Sequence, residues 1–506
     1  MRGISDYQRL GSSKSAKMIV WLLSWGFLSF AMEARSQSGI GKRPNIVYIY
    51  ADDLGFGELG CYGQTKIKTP NLDRLAAEGI RFTRHYSGAP VCAPSRTMLM
   101  TGLHAGHSPI RMNEERGGFE DHNERGQKPL PAGVFTLPGM LKKAGYATGM
   151  VGKWGLGMHD TEGDPLKHGF DYYYGYLDQK QAHNHYPSHL WENGRWDTLG
   201  QPFFLVHKRI DSARLFGNDF ADVKGVEYAP YLMTEKALDF LDRNRDRPFF
   251  LYLPYAIPHV SLQAPDEAIA RYVGRFEEKP YLGEGGYTPS RYPLSTYAAM
   301  ITLLDEQVGR ILDRLKTLGL DGNTIVMFSS DNGPTYAGGV RPEFFNSTGG
   351  LRGLKGDLYE GGIRVPFIVR WPGVVSPGRT SGHVSAQYDL SATVAEILGQ
   401  PAPASDGLSF LPELMGSKQR THDYLYFEFF EKNGQKAVMM GDWKAVKSNL
   451  KKDPGARWEL YHLGKDPGET KDLSTGQRRM VRRADRAIRE VKATDPSGSV
   501  RTPSRP

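Results

Sequence analysis

The chain alternates short apolar β-rich runs with helix-spaced segments, and that alternation restricts it to a small set of layered α/β architectures. Ile46-Val47-Tyr48-Ile49-Tyr50 is apolar on both faces, as a strand buried inside a parallel sheet must be. Further strands are predicted at Ala147–Val151, Pro248–Leu253, Thr324–Ser329 and Val365–Arg370. Between them, Pro70–Gly79 reads as a helix, with Leu72, Leu75 and Ala76 on one face and a glycine at its end. Helices are also predicted at Thr136–Gly145, Tyr231–Arg243 and Leu294–Leu318. The expected fold class is α/β, a large mostly parallel sheet flanked by helices. Gly152–Pro230 lacks this periodicity, is rich in Gly, Tyr, His and Trp, and reads as long loops beside a site. After about Pro412 the pattern turns to closely spaced short strands at Tyr424–Glu428, Lys436–Met440, Trp443–Val446 and Trp458–Leu463, as in a small antiparallel sheet. The predicted division is an export segment at 1–36, a main body at 37–415, and a C-terminal antiparallel-sheet subdomain with a basic helix and tail at 416–506.

Composition narrows the function classes. At 506 residues, 39% hydrophobic and 24% charged, the chain is neither disordered nor a polytopic membrane protein. Two cysteines exclude a disulfide scaffold and a Cys-only zinc site, while leaving open one bond between Cys61 and Cys92. The net charge of +8 is a weak pointer to polyanions. Part of it sits in residues 1–36, and part in Arg478, Arg479, Arg482, Arg483, Arg486, Arg489 and Lys492. That late run reads as a helix with a solvated basic face or an anionic-polymer contact; no nucleic-acid partner is expected. At the amino terminus, Lys14 and Lys17 precede the apolar run Met18–Met32, which is short for a spanning helix, and Ala34-Arg35-Ser36 offers a cleavage site. The expectation is export to the periplasm or exterior without stable membrane insertion.

Two strand ends carry oxygen donors. Asp52-Asp53 follows the first strand, and Asp331-Asn332 follows Thr324–Ser329. Either pair alone could be a solvated turn; together they suit a hard cation such as Ca²⁺ or Mg²⁺. Cys92 lies in Cys92-Ala93-Pro94-Ser95-Arg96, where a thiol beside an arginine is either a nucleophile or a buried structural residue.

Cys-x-Pro-Ser-Arg followed by Leu99-Met100-Thr101-Gly102 is the signature of the formylglycine-dependent sulfatases, and the resemblance extends over nearly all of the chain after the export segment. It runs through Pro44–Gly55, Pro70-Asn71-Leu72-Asp73, Gly152-Lys153-Trp154, Pro258-His259, Asp331-Asn332-Gly333, Lys355 with Tyr359–Gly362, and Trp458–Tyr461 with Asp466-Pro467. It implies an alkaline-phosphatase-like fold, and conversion of Cys92 by a maturase to an aldehyde whose gem-diol attacks sulfur. It also implies Ca²⁺ on Asp52, Asp53, Asp331, Asn332 and the modified residue 92. Lys153 and Lys355 would neutralise the sulfuryl oxygens, Arg96 would hold residue 92, and His259 would protonate the leaving oxygen. One position departs from the family pattern: Gly155 stands where many members have a histidine after Gly-Lys-Trp. His159, His183 and His185 follow in the next region, with His183 the first choice to fill that place and bind substrate. Gln181–Pro187 with Leu190–Asn193 resembles a subgroup acting on sulfated polysaccharides, which implies a sulfated carbohydrate of galactose or N-acetylgalactosamine type. Trp191, Trp196 and Tyr173 are candidate sugar platforms or loop packing. Two other readings stand beside this one: a phosphate or phosphonate ester hydrolase of the same superfamily, and a secreted glycan-binding protein with Cys92 unmodified.

Overall fold

Strand register explains how the acidic pairs meet. The computed structural model describes residues 43–207, 209, 220 and 223–493. The expected export segment at 1–36 lies outside them, as does the tail beyond Ala493. In chain order the strands are β1 (Asn45–Ala51), β2 (Ile80–Tyr86), β3 (Glu115–Gly117), β4 (Glu124–Gln127), β5 (Ala147–Lys153), β6 (Tyr172–Tyr176), β7 (His189–Glu192) and β8 (Arg195–Thr198). They continue with β9 (Phe249–Pro254), β10 (Thr324–Ser330), β11 (Arg364–Arg370), β12 (Arg379–Ser381), β13 (Ser385–Ala386), β14 (Leu425–Phe429), β15 (Gln435–Met440), β16 (Trp443–Lys447) and β17 (Glu459–His462).

The main sheet has 11 strands in the order β12-β2-β11-β10-β1-β9-β5-β6-β7-β8, with β13 beside β2. Its centre, β10-β1-β9-β5-β6, is parallel. Ala51 pairs with Ser330, so Asp52 and Asp331 emerge side by side at the carboxyl edge, where open α/β sheets place their sites.

Both faces of this sheet are covered. Val47 and Ile49 face a core that includes the helix Pro293–Thr317, whose Leu294, Tyr297, Ile301, Leu304, Val308, Ile311 and Leu315 recur every three or four residues and are buried. Each such Leu or Ile contributes roughly 1.5–3 kcal/mol of burial. Tyr48 and Tyr50 point to the opposite face, in keeping with the two-residue strand period. There Tyr50 Oη donates to Gln387 Oε1 (2.5 Å), and Ser95 Oγ donates to the same atom (2.9 Å). This polar clasp seats the helix Cys92–Thr101 on the sheet.

Gly152–Pro230 departs from expectation. It contains β6, β7 and β8, which extend the main sheet, so the segment is not simply loops. Tyr172–Tyr176 is a buried aromatic strand, and β7–β8 is a hairpin turned by Asn193-Gly194, both at positive φ (47° and 83°). The C-terminal strands form the sheet β14-β15-β16-β17, antiparallel throughout. One face packs on Tyr86, Leu358 and Tyr388 of the main body. The other packs on Ala89, Met98 and the helix Arg478–Ala493. The chain from Arg43 onward is accordingly one compact unit, and Gly416 falls in the connection between the helix Leu411–Leu414 and β14. Among the described residues no helix is long and apolar enough to cross a membrane.

Candidate active site

Four ends of the central strands and one helix terminus converge here. Asp52 and Asp53 follow β1, Lys153 ends β5, His259 follows β9, Asp331 and Asn332 follow β10, and Cys92 begins its helix. Each is at most 2% exposed. Lys355, on the loop before β11, is the more open member, with its side chain 18% exposed. Gly152 makes the approach of β5 feasible: its φ is 139°, and a Cβ there would lie 2.1 Å from the Pro254 carbonyl oxygen.

Asp52 is the hub. Its Oδ1 lies 3.3 Å from Cys92 Sγ, and its Oδ2 accepts from Lys153 Nζ at 2.6 Å. Arg96 Nη2 donates to Asp331 Oδ2 at 2.8 Å and stands 3.5 Å from Asp52 Oδ2, while Nη1 donates to the Lys153 carbonyl at 2.9 Å. Asp53 adopts a left-handed φ of 62°; its N–H donates to Asp331 Oδ1 (3.0 Å), and Asn332 Nδ2 donates to its Oδ1 (2.8 Å). Lys355 Nζ donates to Asp53 Oδ2 at 2.8 Å, and His259 Nε2 lies 3.5 Å from the same oxygen.

The electrostatics show what the donor set suits. Burial pushes Asp52 up, but Lys153, His259 and Arg96 outweigh it and hold the carboxyl well below the usual range. Asp331 goes the other way: burial and the charge of Asp52 push it up to about 7. Burial also raises Asp53, with Lys355 opposing and Asp52 reinforcing. Among the described residues, Asn332 Oδ1 is buried with no hydrogen-bond partner. Crowded carboxylates beside an orphaned amide oxygen are a donor set that fits a hard divalent cation. Asp52, Asp53, Cys92 and His259 each offer a ligand atom, all within 4.8 Å of one another. Three carboxylates here face three fixed cations, Arg96, Lys153 and Lys355, so an added dication would make the site net positive, the sign that an anionic ester needs.

Cys92 is not poised as a thiolate. Burial and Asp52 raise its thiol well above the ordinary cysteine value. Cys61 and Cys92 are both free, so the disulfide open on the sequence is not made.

The three histidines near Gly155 separate by environment. His159 stacks on Trp191 at 4.4 Å. His185 Nε2–H donates to the His259 carbonyl at 2.9 Å and braces that turn. The ring of His183 stacks on that of His259 at 4.9 Å and 14°. His207 Nδ1 accepts the Tyr287 N–H (3.1 Å), which leaves its proton on Nε2, 3.4 Å from His183 Nδ1. That relay places the remaining proton of a neutral His183 on Nε2. Burial, then the charge of His259, hold His183 well below the ordinary histidine value and so keep it neutral. His207 and Tyr287 were not found by sequence reasoning; Tyr287 sits at φ 66° and belongs to no periodic segment, so no pattern marked it. Gly155 has a φ of 72°, and the nearest atom to an added Cβ, Gln179 Oε1, is at 3.5 Å. Backbone conformation rather than lack of room selects glycine there.

The sugar-platform expectation needs correction for two residues. Trp191 is 8% exposed, stacked on His159 with its Nε1–H on Glu124, and Tyr173 is fully buried. Both pack the β6–β7 region. Trp196 is the exposed one, at 48%.

Known proteins resemble this chain over most of its length. The family model described as Sulfatase matches residues 44–400, and that described as N-sulphoglucosamine sulphohydrolase, C-terminal, matches residues 355–491. The N-acetylgalactosamine-6-O-sulfatase of Bacteroides thetaiotaomicron is 30% identical, covering 89% of this chain and 93% of its own. The N-acetylgalactosamine-6-sulfatase of Homo sapiens is 32% identical over 86% and 83% respectively. The crystal structure of Ps i-CgsB superposes with a TM-score of 0.72 at 28% identity, covering 89% of this chain and 92% of that one. The phosphonate monoester hydrolase of Agrobacterium radiobacter, at 20% identity and a TM-score of 0.61, covers 89% of this chain and 96% of its own and shares the fold alone. The chain belongs to the sulfatase family and is a sulfuric ester hydrolase.

Proposed function

We propose that the protein removes sulfate from a sulfated carbohydrate of galactose or N-acetylgalactosamine type, with Ca²⁺ bound and residue 92 matured to a hydrated aldehyde. The observation that carries the reading is the meeting of Cys92, Lys153 and Arg96 on one carboxylate, Asp52, beside the Asp53–Asp331–Asn332 oxygen set. The names of relatives acting on N-acetylgalactosamine 6-sulfate support the sugar. Export, and a maturase that meets Cys92 before folding buries it, belong to the same reading.

Asp52, Asp53, Asp331 and Asn332 would hold the cation, which when bound supplies Lewis acidity to the sulfuryl oxygens. Lys153 and Lys355 now rest on carboxylates; their ammonium groups turn toward the ester anion and neutralise its oxygens. Arg96 is clamped by Asp331 and the Lys153 carbonyl, and so fixes the floor under residue 92. His259 commits Nδ1–H to the Val260 carbonyl, which leaves Nε2 to carry the proton given to the departing sugar oxygen. Burial and Lys355 keep this imidazole neutral without substrate, and an anionic ester favours its protonated form. His183 Nε2–H donates beside it, in the role that Gly155 leaves vacant.

Two results are expected. Replacing His259 by alanine lowers sugar-sulfate hydrolysis by about 10²–10⁴-fold but nitrophenyl-sulfate hydrolysis by less than about tenfold, because nitrophenolate departs without a proton. Equal losses on both substrates would remove His259 from the acid role. Chelation abolishes turnover, and Ca²⁺ restores it better than Zn²⁺, since the proposed donors are hard oxygens. Recovery with Zn²⁺ alone, or faster turnover of nitrophenyl phosphate than of nitrophenyl sulfate, would favour the phosphoester reading. A peptide mass showing only free thiol at Cys92 in protein that binds sulfated sugar without turnover would favour the glycan-binding one.

A further inference from the structure

The helix Arg478–Ala493 is two-sided. Ala484, Ala487 and Val491 are buried against the β14–β16 face, together with the partly buried Met480, Val481 and Ile488. Away from that contact, Arg479, Arg482, Arg483, Arg486 and Arg489 line a groove of about 790 Å³, with Trp443 of β16 in its wall. Positions 479, 482, 483 and 486 follow the i, i+3, i+4, i+7 spacing and share one face.

Two features distinguish this face from an ordinary solvated one. Its guanidiniums are not held in ion pairs: the side chains of Arg479, Arg482, Arg486 and Arg489 make no hydrogen bond or ion pair among the described residues, and the Arg483 side chain gives one bond to the Asp423 carbonyl. The acid in the groove, Asp485, is already accepting the Trp458 Nε1–H at 2.8 Å. Like charges stand four residues apart at 479/483 and 482/486, and a bound polyanion would relieve both repulsions. The residues are arginines rather than lysines, and a guanidinium offers paired N–H groups that match two oxygens of one sulfate. The 479–489 span is about 15 Å along the axis, which suits a chain bearing repeated anions.

We infer that this groove is a second binding site for a sulfated polysaccharide chain, separate from the residues that perform the chemistry. The choice of polymer rests on the proposed carbohydrate substrate and on charge complementarity; Trp443 adds an aromatic edge for a sugar. An anionic membrane fits less well, because the apolar face that a surface helix would insert is already spent on β14–β16. Holding the polymer here raises the local concentration of its esters at the active site, which lowers KM for polymer without changing kcat.

The test uses the full mature protein and a variant with Arg479, Arg482, Arg486 and Arg489 each replaced by serine. Native protein is expected to bind dextran sulfate and not unsulfated dextran. The variant should bind at least about tenfold more weakly, while hydrolysing nitrophenyl sulfate at the native rate. If that variant does not fold, Arg482→Glu with Arg486→Glu is used, and the same loss is expected. Equal binding by native and variant protein overturns the proposal. So does native protein that prefers duplex DNA or phosphatidylserine vesicles to dextran sulfate. Failure of the carbohydrate reading is seen separately, as absent release of sulfate from sugar sulfates with dextran sulfate binding intact.

Discussion

Replacing Cys92 by alanine is expected to abolish sulfate ester turnover, by at least about 10⁴-fold, while the protein stays folded. The separation is possible because the residue contributes little to packing and, once matured, supplies the nucleophile. Its side chain is one small buried group at the first position of its helix, so truncation costs stability only on the order of 1 kcal/mol. The surrounding ion pairs survive: Asp52 keeps Lys153 at 2.6 Å, and Arg96 keeps Asp331 at 2.8 Å. No other described side chain takes over, since the nearest oxygens belong to carboxylates that the lysines and Arg96 hold. Turnover by purified variant, assayed beside its thermal melting, checks both halves. An active alanine variant would end the nucleophile assignment, and an unfolded one would mean that Cys92 is structural.

The parts of this site that were legible in sequence are those where a strand hands a polar residue to its own carboxyl end. β1, β9 and β10 are buried throughout with mostly apolar residues and stop at Asp52, near His259 and at Asp331, so hydropathy located the strands and the polar residues at their ends. Elements that stabilise themselves through tertiary contact were not legible. β2 carries Arg81 and Arg84, whose charges hid the strand; Arg81 reaches the Cys61 carbonyl, and Arg84 reaches Asp442. The helix Cys92–Thr101 is buried on every side, so it shows no polar face to reveal its period. β7–β8 did have a signal, Asn193-Gly194, which was overshadowed by the irregular composition around it. His207 acts through a ring nitrogen on a backbone N–H and on a second ring, and no residue spacing encodes such a contact.

Replacing Lys444 by methionine should lower the free energy of unfolding by about 3–5 kcal/mol and reduce activity through the same loss. Lys444 is fully buried on β16, and its ammonium lies 3.0 Å from Glu360 Oε1 and 2.9 Å from Glu469 Oε1. These three groups come from different parts of the fold: the C-terminal sheet, the short helix Glu360–Ile363 of the main body, and the loop after β17. The Glu360 N–H donates to Glu469 Oε2 at 2.7 Å, so the two acids are held together and need the cation between them. Methionine fills the volume but leaves two carboxylates buried with the nearest remaining cation, Arg364, 3.5 Å from Glu360. Burial already raises Glu469 to about 7, above a free glutamate, so in the folded state it takes up a proton more readily than when unfolded. Its contribution therefore favours the fold at acid pH and fades as the pH rises through 7. Glu360 stands the other way: against its burial, chiefly Lys444 holds it below the ordinary glutamate value. Without Lys444 both acids shift upward, and the deficit of the variant should shrink as the pH is lowered from 8 to 5. Adding Glu469→Gln removes the second charge and should recover part of the loss. Activity follows stability because Lys355 lies five residues before Glu360 on the segment that this cluster anchors. Urea unfolding of the two variants across that pH range decides the matter: a pH-independent loss below about 1 kcal/mol would show that the cluster is not what ties the C-terminal sheet to the active-site loop.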